Sequence, residues 1–258
     1  MKALVTGASR GIGEQYATVL ARDYKCDLLL VSHGDALQGV ADRIAAEHGV
    51  NVQAYRLDLS EPDAAEKLYA KTKEIGFEPD ILINNAGVFF FNPLTETDME
   101  RIEQMLMIHV MAVTKITRLF AKDMCDRKSG YILNMSSLST WMAFPGIQEY
   151  NATKAYINNF TRSLWYELKP HGVHIITVTP GMVNTTLYGL PENLRTLAVK
   201  LGINTPTERL AKKALRRMFH RRKKCMPGLV NHIFKPFLAH FPDWPVFLIM
   251  KKIGKYQK

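Results

Sequence analysis

The chain has 258 residues, 47% of them hydrophobic and 22% charged, so it can bury a core without a metal or disulfide staple. Its three cysteines, Cys26, Cys125 and Cys225, are widely spaced; they exclude a disulfide framework and a metal-ligand cluster, and no metal is expected. The formal charge of +10 is concentrated at one end: residues 209–258 hold 14 Lys/Arg and one acid, Asp243, against 20 Lys/Arg and 23 acids in the other 208.

Over the first 180 residues short apolar runs alternate with longer amphipathic ones. The first strand, 2–6, begins almost at the N-terminus and leaves no room for a signal peptide. No uncharged apolar run approaches 18 residues, so no transmembrane helix is expected and the chain reads as cytoplasmic. Thr6-Gly7-Ala8-Ser9-Arg10-Gly11-Ile12-Gly13 joins this strand to a helix over 11–24. Gly7 permits a tight turn, Gly11 lets backbone approach a pyrophosphate, and Gly13 lets the helix pack close to the sheet. The helix N-terminus then offers free N–H groups and a positive dipole end to the phosphates.

The second strand, 27–32, ends at Ser32 with His33 next, where an NAD-preferring site usually carries an acid for the ribose 2′-hydroxyl. Asp35 is close. Arg10, in the glycine turn, can meet a 2′-phosphate, so NADP(H) is expected over NAD(H). A helix over 35–48 leads to a strand at 52–57 and to Leu57-Asp58-Leu59; Ser60-Glu61-Pro62 then reads as the cap and first turn of a helix over 61–75. The fourth strand, 80–84, closes on Asn84-Asn85-Ala86-Gly87, and Thr97-Asp98-Met99-Glu100 has a capping-box shape at the head of a helix over 97–127.

The fifth strand, 131–136, ends at Ser136-Ser137. In the helix over 149–169, Tyr150 and Lys154 stand at i and i+4 and share a face. A free tyrosine, with a pKa near 10, is too weakly acidic to serve as a base near neutrality, and an ammonium beside it favours the phenolate. A serine hydroxyl can orient a substrate oxygen while the tyrosine gives or takes its proton. The sixth strand, 173–179, leads to Pro180-Gly181, Val183 and Thr185. The βαβ order predicts a single-domain, doubly wound parallel sheet of Rossmann type with helices on both faces.

With the spacing Gly-x3-Gly-x-Gly, Asn-Asn-Ala-Gly, Ser137 and Tyr-x3-Lys in order, residues 2–190 resemble the short-chain dehydrogenase/reductase family. The resemblance implies a hydride transfer with Ser137, Tyr150 and Lys154 as the catalytic set. It implies that Asp58 and Leu59 hold the adenine, that Asn85, Ala86 and Gly87 line the cofactor cleft, and that Pro180, Gly181, Val183 and Thr185 wrap the nicotinamide. The family usually has a relay asparagine where this chain has His109, which can replace it, make the relay pH-sensitive, or fill space. It also implies a homodimer or homotetramer paired through the helices over 97–127 and 149–169.

Phe89, Phe90, Trp141, Met142, Phe144 and Tyr188 are expected to border a pocket for a lipophilic ketone, aldehyde or secondary alcohol. Residues 186–258 read as a substrate-side and C-terminal extension of the one domain, 1–258. Arg209–Lys224 holds nine Lys/Arg, and Phe234, Phe237, Phe241, Trp244 and Phe247 follow. Such a tail can lid the pocket, pack on a second subunit or contact a membrane peripherally; without a reading module it is not expected to bind nucleic acid. The rival reading is a non-catalytic dinucleotide sensor or scaffold acting through this tail, and His109 is the feature that favours it.

Overall fold

The computed structural model describes residues 1–141, 143–181, 183 and 205–228. Seven strands form one parallel sheet: β1 (Lys2–Thr6), β2 (Asp27–Ser32), β3 (Val52–Arg56), β4 (Ile81–Asn84), β5 (Gly130–Met135), β6 (Val173–Val178) and β7 (Lys224–Cys225), in the order β3-β2-β1-β4-β5-β6-β7. The central strands are nearly continuous apolar runs because helices cover both faces. Ala3, Val5, Leu28 and Leu30 face one cluster with α1 (Gly11–Tyr24), α2 (Leu37–His48) and α7 (Thr207–Phe219). Leu4, Leu29, Val31 and Leu82 face the other, with α3 (Ala64–Glu74), α5 (Val113–Asp126) and α6 (Gln148–Leu168). The expected doubly wound architecture is therefore the observed one.

Crossovers leave β1 toward β2 and return to place β4 on its other side. That reversal opens a crevice at the carboxyl ends of β1 and β4, where ligands bind in such sheets. Buried amides brace its floor. Asn84 Nδ2 donates to Asn134 Oδ1 at 2.8 Å and to Thr117 Oγ1 at 3.0 Å, and Asn134 Nδ2 donates to Thr161 Oγ1 at 3.0 Å, which ties the sheet centre to α5 and α6.

Two expected helix starts are corrected. The helix expected from residue 61 begins at Ala64, because the Asp58 carboxylate accepts the Ser60 N–H at 2.8 Å and its hydroxyl at 2.7 Å and folds the intervening residues into a turn. No capping box forms at residues 97–100. α4 (Met99–Leu106) starts after Asp98 without a side-chain cap, and the Thr97 hydroxyl donates to the Pro93 carbonyl at 2.9 Å instead. The long helix expected over 97–127 is α4, six residues of π-helix (Met107–Ala112) and α5 in succession. Such wide turns are rare and cluster at functional sites; this one turns Ile108, His109 and Ala112 inward. Among the described residues no helix is long and apolar enough to cross a membrane.

Candidate active site

The glycine turn is held from both sides. Gly7 and Gly11 have φ of +66° and +65°, which a glycine adopts at no steric cost. The Gly7 N–H donates to the Val31 carbonyl at 2.8 Å, and Asn85 Nδ2 donates to the carbonyls of Thr6 and Gly7 at 3.0 and 3.2 Å. The Thr6 hydroxyl accepts the N–H groups of Asn85 and Ala86 at 3.0 and 3.1 Å. The Asn-Asn-Ala-Gly segment is thus stitched to the turn, and a Cβ on Gly13 would lie 2.1 Å from the Gly7 carbonyl oxygen. The arrangement leaves the α1 N-terminus facing the crevice, a cradle that fits a dinucleotide pyrophosphate.

A cleft of about 470 Å³ runs along the carboxyl ends of the strands. Of the residues expected at the site, Gly7, Ser9, Arg10, Gly11, Ile12, His33, Asp58, Leu59, Asn85, Ala86, Gly87, His109, Ser137, Tyr150, Lys154, Pro180 and Val183 all line it. Gly13 lies beneath the turn, and Gly181 is not among the lining residues. Thr185, Met142, Tyr188 and the tail from residue 229 lie outside the described residues.

At the adenosine end Asp35 also lines the cleft; its Oδ1 pairs with the exposed Arg56 at 2.9 Å, and Arg56 Nε donates to the His33 carbonyl at 3.1 Å. Ser32, expected only as the end of β2 without an acid, also lines the cleft. Its hydroxyl lies 3.0 Å from that of Ser9 and accepts the Gly34 N–H at 3.3 Å. Arg56 was hidden in the sequence, because only the β2–β3 register places it opposite Ser32.

At the other end, Ser137, Tyr150 and Lys154 are each less than a tenth exposed. The Ser139 N–H donates to Ser137 Oγ at 3.2 Å. The Tyr150 ring packs edge-on against Phe89 at 5.0 Å, while Lys154 Nζ stands 5.5 Å from the Tyr150 ring centre and donates to the Met135 carbonyl at 3.1 Å. Of the aromatics expected to border the pocket, Phe89 packs against Tyr150 and Phe90 is buried in a small core with Ile102, Met105 and Tyr150, but neither these two nor Trp141 and Phe144 are among the residues lining the cleft.

Burial alone pulls the Lys154 pKa down to about 7. The unfolded chain keeps this lysine near its ordinary ~10.4. Between those values the folded state binds fewer protons, so this group makes stability rise with pH; the gain is lost as pH falls toward 7, where both states are protonated. Urea unfolding at successive pH values above 7 is expected to show a slope of up to about 1.4 kcal/mol per pH unit that Lys154→Met lacks. Equal slopes in the two proteins would refute it.

His109 is fully buried in the π-helical turn. The Val88 N–H donates to its Nε2 at 3.0 Å, which places the ring proton on Nδ1, 2.9 Å from the Thr153 hydroxyl; that hydroxyl donates in turn to the Tyr150 carbonyl at 2.8 Å. Burial first, and the Lys154 charge second, hold its pKa well below the usual histidine value. The neutral ring thereby pins the segment after Gly87 to the turn of α6 that bears Tyr150. His109→Leu, which strips Val88 of its acceptor, is expected to cost about 2 kcal/mol in chemical denaturation, and His109→Asn, which restores an acceptor, much less. Equal losses would show that packing, not the hydrogen bond, matters here.

The family model described as short chain dehydrogenase matches residues 1–191. A very-long-chain 3-oxoacyl-CoA reductase of Mus musculus is 34% identical over 189 residues, 72% of this chain and 60% of that one. An uncharacterized oxidoreductase of Staphylococcus saprophyticus is 33% identical over 187 residues, 72% of this chain and 80% of that one. A short-chain dehydrogenase from Sphingobium yanoikuyae, solved in complex with NADPH, superposes with a TM-score of 0.79 at 28% identity, covering 100% of this chain and 95% of its own. The chain spans only 55–60% of the length of the first curated relatives it matches.

Proposed function

The chain belongs to the short-chain dehydrogenase family, and from that premise we propose that it is an NADP(H)-dependent oxidoreductase acting on a carbonyl or secondary alcohol of a lipophilic substrate. We read residues 1–258 as one dinucleotide-binding domain. The observation that carries the proposal is convergence: the glycine cradle, Asp58, Ser137, Tyr150 and Lys154, spread over about 150 residues of sequence, line one cleft. Arg10 and His33 line its adenosine end beside Asp35, whose charge is balanced by Arg56 at 2.9 Å, and Arg10 in the glycine turn supports NADP(H) over NAD(H). The NADPH in the Sphingobium structure points the same way.

The cradle and the cleft residues would hold a nicotinamide dinucleotide, which would supply or accept the hydride. The Ser137 hydroxyl donates to the substrate oxygen and fixes its position. The Tyr150 hydroxyl gives that oxygen its proton in reduction and takes it back in oxidation. Lys154, when protonated, favours the phenolate. Because the three groups are buried, water competes poorly for the reacting oxygen, and each electrostatic contact is stronger than in solvent. His109 is a positioning residue: it holds the Tyr150 turn of α6 against the Val88 backbone.

The relatives support a class of substrate. Long-chain 3-oxoacyl thioesters are the first candidates, with bulky ketones and aldehydes beside them. A homo-oligomer paired through α4–α6 fits the large apolar side chains left exposed there, at Met99, Leu106, Met111 and Tyr156. The test is oxidation of NADPH and NADH against such a panel. Turnover with a long-chain carbonyl and preference for NADPH are expected. Cofactor binding without turnover in either direction would favour a sensor instead.

A further inference from the structure

The first 204 residues carry 20 Lys/Arg against 22 Asp/Glu, so the catalytic body is close to neutral, and the excess begins at α7. That helix buries Leu210, Ala211, Ala214, Leu215 and Met218 against the sheet and α1, leaving an outer face that is almost entirely cationic. Arg209, Lys212, Lys213, Arg216 and Arg217 stand on it, and the four residues 221–224 that follow are Arg-Arg-Lys-Lys, all exposed. The one acid on the helix, Glu208, is consumed by Arg22 at 3.0 Å and Lys212 at 2.9 Å. Across the sheet edge, on α6 at the opposite face, the 221–224 turn meets an aromatic pair. Lys223 Nζ stands 5.2 Å from the Trp165 ring and 5.5 Å from that of Tyr166, Lys169 covers Trp165 at 4.8 Å, and Tyr166 is 65% exposed. None of these residues lines the catalytic cleft.

We propose that the outer face of α7, the 221–224 turn and the Trp165/Tyr166 edge of α6 form a docking surface for an anionic phospholipid bilayer. Three observations select this occupant. A second copy of the chain would set the same cations against each other, so symmetric pairing through this face is repelled. Cations flanked by tryptophan and tyrosine match a membrane interface, where the rings rest at the headgroup level and the charges meet phosphate. Beyond Gly228 the chain continues into a sequence that holds Phe234, Phe237, Phe241 and Trp244 and only one acid, Asp243. Docking would bring the protein to the phase in which a lipophilic substrate is dissolved. The inference rests on charge and exposure and stands whether or not the proposed reaction is correct.

The full-length protein, loaded with NADPH, is mixed with vesicles of pure phosphatidylcholine or of phosphatidylcholine with about 30 mol% phosphatidylglycerol, and bound protein is read by flotation. Partition to the anionic vesicles is expected, weakening steeply as salt is raised from about 50 to about 300 mM, with little binding to the neutral ones. Each cation near such a surface contributes a factor of about five. The triple variant Arg209→Glu/Lys213→Glu/Arg216→Glu should therefore lose at least about a hundredfold in partition while keeping NADPH binding and turnover of a water-soluble substrate. The triple Gln variant should fall between, which keeps the test usable if charge reversal impairs folding. Equal binding to both vesicle types, retention by the variants, or binding to duplex DNA or RNA in place of vesicles would overturn the proposal.

Discussion

Replacing Tyr150 by Phe is expected to lower turnover by about 10²- to 10⁴-fold while NADPH binding stays close to that of the unmodified protein. The ring is retained, so its edge-on packing against Phe89 at 5.0 Å and its place beside His109 at 5.8 Å persist. Only the proton donor disappears. The lower end of the range applies if a water reaches the substrate oxygen in its place; the upper end applies if burial keeps water out. Steady-state NADPH oxidation with a long-chain carbonyl, beside a fluorescence titration of bound NADPH, separates chemistry from binding. Turnover near the parent level would remove Tyr150 from the mechanism.

The second large effect is expected at Gly13. An added Cβ would lie 2.1 Å from the Gly7 carbonyl oxygen, 2.7 Å from the Gly7 carbonyl carbon and 2.6 Å from Asn85 Nδ2. Two of these neighbours are backbone, so α1 must draw away from the turn or the turn must open. Either movement shifts the N–H groups that face the pyrophosphate. Gly13→Ala should weaken NADPH binding by about a hundredfold, equivalent to about 3 kcal/mol. It should also lower stability by about 1–3 kcal/mol through overpacking. Gly39→Ala is the control: nothing lies within 4 Å of a Cβ there, and an alanine inside α2 should bind NADPH as the parent does. If Gly13→Ala also bound cofactor normally, the close approach of turn and helix would not be what shapes the cradle.

Much of the architecture follows from local pattern. Uninterrupted apolar runs such as 28–31 and 81–83 are buried whichever way their side chains point, so they mark strands covered on both faces before any pairing is known. The glycine spacing and the i, i+4 placement of Tyr150 and Lys154 are equally local: each depends on backbone geometry within one or two turns. For that reason β1, β2 and α1 fall where they were expected, and the expected catalytic and cofactor residues in the described chain, Gly13 and Gly181 aside, line a single cleft, whereas the expected pocket aromatics Phe89, Phe90, Trp141 and Phe144 do not.

What the sequence alone could not settle were the choices each polar group made among competing partners, near and far along the chain. Asp58 folds Ser60 into a turn and delays α3, and Thr97 prefers the Pro93 carbonyl to a capping box; both are competitions among nearby acceptors that composition cannot rank. Asp35 lines the cofactor edge with Arg56 paired to it, a cation that comes there only through the β2–β3 register. His109 has the same identity in sequence and in structure, yet its neutral, doubly hydrogen-bonded state depends on Val88 and Thr153, 21 and 44 residues away. Lys154 is likewise legible as a lysine on the right face, but its pKa of about 7 is set by complete burial, a property of the packed sheet and helices rather than of the helix that carries it. Local periodicity fixed the elements and named the chemical groups; the tertiary fold decided their partners and protonation, because desolvation and hydrogen-bond choice are properties of the space around a side chain and not of its neighbours in sequence.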